Sequence, residues 1–119
     1  EKTDKEFIAQ VLPFLKWDLT LPIPANTEYG YCTDVMEHIP TKDVKTVIRN
    51  VMGSADKVFF QISTIDDVCG EMIGSPLHLT VKPHSWWKEL FISNGYIIEW
   101  EQEQDTASLF YIKNPDRRD

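Results

Sequence analysis

Basic residues are scarce in this chain: Lys and Arg number 12 against 19 Asp and Glu, for a formal net charge of -7, and the only basic cluster is Arg117 with Arg118 at the very end. Nucleic-acid affinity rests on clustered Lys and Arg, so nucleic-acid binding by this segment is not expected. Cysteine is equally sparse. Cys32 and Cys69 stand in no CxxC spacing and beside no zinc pattern, which excludes a disulfide framework and reads as two free thiols in a reducing, hence cytoplasmic, setting. Long apolar runs are missing: none approaches about 18 residues, and no signal-peptide pattern opens the chain, so neither membrane insertion nor secretion is indicated. The first residue is Glu1, without Met, which leaves sequence upstream open.

What remains is the balance of a globular domain. Hydrophobic residues make up 42% and charged residues 26% of 119 positions, enough to bury roughly two-thirds of the unfolded chain's surface. One α/β domain over 1–119 is the expectation. "TDKEFIAQVLP" places Thr3 and Glu6 in capping-box spacing and Phe7, Ile8, Val11 and Leu12 on one helical face before Pro13. "FLKW" then reads as a strand ending at Asp18, followed by a loop punctuated by Pro22, Pro24 and Asn26. "YGYCT" reads as a buried strand with Asp34 at its carboxyl end.

In "KDVKTVIRNVMG", Val44, Val47, Ile48 and Val51 recur at i, i+3, i+4 and i+7, which predicts a helix stopped by Gly53. "KVFFQIS" is β-branched and aromatic and predicts another buried strand. Residues 63–82 read as a long loop of the kind that carries function. Ser85 is then expected to cap a helix bearing Trp86, Trp87, Leu90 and Phe91, ended by Asn94 and Gly95. "YIIEWE" and "SLFYIK" predict a closing antiparallel hairpin. Helices alternating with short buried strands imply a three-layer α/β architecture on a mostly parallel sheet. Ligands of such sheets gather at the carboxyl ends of strands, where Asp18 and the group Cys32, Thr33, Asp34 fall.

The run "YGYCTDVMEHIP", followed by an amphipathic helix, a strand and "LHLTVKPHSWWKELFISNGY", resembles the second half of class I S-adenosylmethionine-dependent methyltransferases, a Rossmann-like fold. The likeness covers about Phe7 to Ile112. It implies S-adenosylmethionine as cofactor and methyl transfer to an unidentified acceptor. Position by position, it implies that Asp18 and Leu19 flank the adenine and that Cys32, Thr33 and Asp34 line the methionine part. Glu37 and His38 would face the acceptor or act in catalysis, and His78 would bind substrate at the same mouth. The chain departs from that family in one respect: its glycines, at 30, 53, 70, 74 and 95, form no GxG. The glycine-rich loop and the ribose-binding carboxylate of the family's first two strands are missing, so the chain resembles a truncated fold without most of its cofactor contacts.

Methyl transfer asks for alignment and, where the acceptor loses a proton, a general base; His38 is the candidate, since an imidazole titrates near neutrality. Plainer roles stand beside these. His38 could bond a backbone carbonyl, Glu37 could cap or pair, Asp34 could serve a turn, and Cys32 could be a small buried hydrophobe. Asp34, Glu37, His38 and His78 resemble in part the metal cluster of the small-RNA 2'-O-methyltransferases, with Asp34 in place of that cluster's first Glu and a different later spacing; such donors suit a divalent ion, and no metal is assigned to them. The alternative to an enzyme is a truncated fold kept as a binding or assembly module, dimerising through the sheet edge that the missing strands would have paired.

Overall fold

The computed structural model describes residues 15–66 and 77–117. The helix expected over Thr3 to Leu12 lies outside them, as do Cys69 and the middle of the 63–82 loop. Four strands, β1 (Thr27–Thr33), β2 (Ala55–Ser63), β3 (Ile97–Glu103) and β4 (Ala107–Lys113), form one sheet in the order β1-β2-β4-β3. Two helices, α1 (Thr41–Gly53) and α2 (His84–Ser93), and a 3₁₀ turn at Met36–His38 complete the elements. No helix among the described residues is long and apolar enough to cross a membrane.

The sheet is mixed, and the expectation of a mostly parallel one is corrected. Only the β1–β2 pairing is parallel; β4 pairs antiparallel with both β2 and β3. A helical crossover links β1 to β2, whereas the short 104–106 turn, closed by the Gln104 N–H on the Ala107 carbonyl at 2.8 Å, obliges β3 and β4 to be antiparallel. That hairpin does not simply extend the edge: β4 enters between β2 and β3.

Nor do the described residues form three layers. Val44, Val47, Ile48, Val51 and Met52 of α1 and Trp87 and Phe91 of α2 bury into one core with Cys32, Val58, Phe60, Ile62, Phe110 and Ile112. Alternation puts those strand residues on a single face, and Phe91 packs at 5.0 Å from Phe60 and 5.1 Å from Phe110. Both described helices therefore cover the same face. On the other face the register sets Tyr31, Phe59, Tyr111 and Trp100 side by side across all four strands. Tyr31 is 82% exposed, and no described helix covers that row.

Three local expectations also change. "FLKW" is not a strand over its described residues: 15–18 have no regular structure, and Leu15 and Trp17 are exposed. A strand needs a neighbour for its backbone hydrogen bonds, and the outer edge of β1 is unpaired among the described residues. Gly53 does not stop α1 through a left-handed turn; Ser54, with right-handed backbone angles, caps the helix with its N–H and hydroxyl both on the Val51 carbonyl at 3.1 and 2.7 Å. Ser85 does not cap α2, which begins at His84 after Pro83. The other end behaves as expected: Asn94 Nδ2 donates to the Leu90 carbonyl, and Gly95 takes a φ of 87°.

Candidate functional site

β1 ends at Thr33, and the next residue turns sharply. Asp34 adopts φ 60°, the left-handed region that Asp tolerates better than most residues, and its N–H donates to the Gln61 carbonyl at 3.0 Å. The chain thus folds over the carboxyl end of β2 into the 3₁₀ turn, which buries Met36 and Glu37 and leaves His38 exposed. A buried carboxylate is costly unless it is bonded. Glu37 Oε1 accepts the Ser63 N–H at 3.2 Å.

A second segment, 77–80, is strapped onto this turn. The N–H groups of Leu79 and Thr80 both donate to the Glu37 carbonyl, at 2.8 and 3.1 Å, and the buried Thr80 hydroxyl donates to the Ile39 carbonyl at 2.6 Å. Thr80 Oγ1 also lies 2.8 Å from Thr41 Oγ1. His38 Nδ1 bonds the Leu77 carbonyl at 2.8 Å, and His78 Nδ1 bonds the Ile65 carbonyl at 2.8 Å. A carbonyl oxygen only accepts, so both rings carry their proton on Nδ1 when neutral. The rings meet edge to face with centroids 4.9 Å apart, and His38 Nε2 stands 3.7 Å from Glu37 Oε2. Glu37 and His38 from the 3₁₀ turn and His78 from the 77–80 segment are therefore brought together at the carboxyl ends of the parallel pair.

The other residues singled out in the sequence are dispersed. Leu19, Cys32 and Thr33 line an apolar groove of about 330 Å³ along β1, with Ile23, Val35, Val51 and Val58. The Leu19 carbonyl accepts from Asn50 Nδ2 at 2.8 Å. Asp18 and Asp34 are not among the groove's lining. The exposed Asp18 carboxylate takes the N–H and hydroxyl of Thr20 at 2.9 and 2.8 Å, the backbone bond foremost in holding its pKa below the ordinary value. Burial, and secondarily the charge of Glu37, pushes the Cys32 thiol up to about 12, so it is an inert neutral thiol. A larger hollow of about 540 Å³ lies near the amino ends of β1 and β2, between Tyr29, Lys57, Lys113 and Arg117, away from the Glu37 cluster.

The sequence reading missed two sets of residues. Thr80 and the backbone of Leu77 and Ser63 hold the cluster, yet backbone partners leave no trace in residue type. His84 is the other: buried in the first turn of α2, it lies 2.8 Å from Ser108 Oγ and 2.8 Å from Glu101 Oε1, and it stacks on Phe110. A serine, a histidine and a carboxylate in line have the geometry of an activated nucleophile. Ser108 is fully buried, however, so the network pins α2 to β3 and β4.

No family model matches the chain, and no curated protein does. Solved structures do. Magnesium protoporphyrin IX methyltransferase from Synechocystis PCC 6803, with bound SAH (S-adenosylhomocysteine), is 15% identical with a TM-score of 0.62, over 84% of this chain and 50% of its own. An O-methyltransferase family protein from Burkholderia thailandensis is 12% identical with a TM-score of 0.68, over 91% of this chain and 37% of its own. A pericyclic reaction enzyme is 12% identical with a TM-score of 0.60, over 88% and 32%. The chain thus spans about a third to a half of the structures it matches. At this identity the likeness shows the fold: that of class I S-adenosylmethionine-dependent methyltransferases, over the part that this chain covers.

Proposed function

We propose that this chain, which carries part of the class I methyltransferase fold, is the C-terminal, acceptor-side part of a domain that transfers a methyl group from S-adenosylmethionine. The observation that supports this reading is the convergence of Glu37, His38 and His78 at the carboxyl ends of β1 and β2, where open α/β sheets bind their ligands. The same fold also hosts a pericyclic reaction, so the reading rests on the site as well as on the fold.

The residues present fit the donor on one side only. Leu19, Cys32 and Thr33 offer an apolar wall suited to part of a nucleoside, while no GxG turn occurs in the sequence. The donor, when bound, supplies an already activated methyl group, so positioning carries most of the rate. His38, its Nδ1 proton committed to Leu77, keeps an Nε2 lone pair for the proton of an acceptor. Glu37, fixed by Ser63, stands beside that nitrogen, its Oε2 3.7 Å from Nε2.

Isothermal titration with S-adenosylmethionine and S-adenosylhomocysteine, on this chain and on any longer gene product, tests the reading. Binding by the longer form, with methyl transfer reduced about 10²- to 10⁴-fold in His38→Ala, is expected. Failure of both forms to bind either compound would overturn it.

A second reading is favoured by the outer edge of β1, unpaired among the described residues, and by the aromatic row, exposed at Tyr31 and Trp100. In it the fold serves as a binding or assembly module that dimerises through that edge. Sedimentation resolves the two, since a stable monomer removes the second.

A further inference from the structure

We infer that the hollow near the amino ends of β1 and β2 binds a nucleoside monophosphate, its base stacked on Tyr29 and its phosphate between Lys57 and Lys113. This site lies away from the Glu37 cluster and requires neither a methyl donor nor an acceptor. Its volume of about 540 Å³ falls in the range of small-ligand sites.

The strand register builds the site. Tyr29 pairs with Lys57, and Lys57 with Lys113, so alternation sets the three side chains abreast on the face of the sheet that no described helix covers. Tyr29 is 64% exposed and offers an open ring of the kind on which bases stack. Strands lie about 4.8 Å apart, which puts the two lysines roughly 5 and 10 Å from the tyrosine, comparable to the reach of a ribose between base and phosphate. Two lysines directly opposite each other across an antiparallel pair repel. Lys57 is compensated by Glu99 Oε1 at 2.9 Å, whereas Lys113 has no ion-pair partner among the described residues. A phosphate shared by the two removes that repulsion through charge-assisted hydrogen bonds.

A net charge of -7 does not oppose this, because the strand carboxylates mostly fall elsewhere. Glu101 and Glu103 pair with Phe110 and Ser108, on the helix-covered face. Asp56, which lines the hollow, is neutralised by Arg117 Nε at 3.0 Å. Glu28 is also in the lining, but alternation along β1 directs it to the face opposite Tyr29. The wall is fixed before any ligand arrives: Arg117 Nη1 donates to the Gly53 carbonyl at 2.7 Å and Nη2 to Asn26 Oδ1, and a preformed wall lowers the ordering cost of binding.

UMP is the probe, since its pyrimidine distinguishes it from an adenine-bearing methyl donor; uridine supplies the ring without the phosphate, and inorganic phosphate the reverse. Each is titrated into the ¹⁵N-labelled chain and followed by its backbone amide signals. Expected is one UMP per chain, with shifts centred on Tyr29, Lys57 and Lys113. Uridine should bind at least about tenfold more weakly, and inorganic phosphate at least about fivefold. Tyr29→Ala and Lys113→Gln should each weaken UMP at least about fivefold, while Glu28→Gln should tighten it about twofold by removing a repelling charge from the rim. Circular dichroism should match the parent in all three variants. No UMP binding, uridine or inorganic phosphate binding as tightly as UMP, or shifts centred instead on Leu19, Cys32 and Thr33, overturns the site. No methyl donor is present in this measurement, so its failure leaves the methyl-transfer reading standing, and failed donor binding leaves this site standing.

Discussion

Replacing Thr80 by valine should loosen the strap that carries His78, and its cost follows from the hydrogen bonds. The Thr80 hydroxyl has one proton, which goes to the Ile39 carbonyl at 2.6 Å, so Thr41 must donate into Thr80 Oγ1 at 2.8 Å. Valine keeps the shape and removes both bonds. Thr41 is exposed and can turn to water, but the Ile39 carbonyl loses its donor beside a residue that is 1% exposed. An unsatisfied buried acceptor costs about 1–3 kcal/mol, which lowers the midpoint by roughly 4 °C or more per kcal/mol in a domain of this size. Thr80→Ser makes the opposite exchange, keeping the hydroxyl and losing a methyl worth about 0.8 kcal/mol. Urea unfolding followed by circular dichroism should therefore rank parent, Ser, then Val, with the slope m unchanged. A valine variant as stable as the serine one would refute the reasoning.

Other substitutions probe separate parts of the structure. Asp34→Gly should be neutral or stabilising by up to about 1 kcal/mol because φ is 60°, whereas Asp34→Val should cost about 1–2 kcal/mol or more, both measured by chemical denaturation. Trp87 is fully buried, and its Nε1 has no hydrogen-bond partner among the described residues. Trp87→Phe, which removes that orphan, should thus cost well under the roughly 3–5 kcal/mol expected of Trp87→Ala. The Glu101 carboxyl is held below its ordinary pKa, chiefly by the hydrogen bond from His84 and then by Lys88. Because the folded value is the lower one, its contribution is complete above the unfolded carboxylate range and is lost as pH falls through the folded value. Glu101→Gln should flatten the acid limb of a stability-versus-pH curve, and an unchanged limb would contradict this.

Much of the fold was legible because it is local. The spacing of Val44, Val47, Ile48 and Val51 marks α1, and those residues are buried as expected. The aromatic and β-branched run of β2 is found over Ala55–Ser63. The strand–loop passage around "YGYCTDVMEHIP" is found, with Asp34 in the turn role open to it, but the strand is not the buried one expected: Tyr29 and Tyr31 are exposed and only Cys32 is buried, because β1 lies at the edge of the described sheet. What failed was non-local. "FLKW" has strand composition, but composition does not supply a neighbour. The direction of the sheet was misjudged because β4 inserts between β2 and β3, which no segment encodes by itself.

Glu37, His38 and His78 were each visible as residue types able to do chemistry, and "DVMEHIP" marked two of them. That Glu37 is buried while its neighbour His38 is exposed follows from the left-handed turn at Asp34 and the strap at 77–80. By itself the sequence determined which segments coil or extend and which side chains carry chemistry, since periodicity and propensity act within a few residues. Only the tertiary structure decided that His38 meets the carbonyl of Leu77, 39 positions away, and that two imidazoles and a carboxylate share one corner. Such meetings depend on long-range hydrogen bonds and on the packing of both helices against a single face of the sheet.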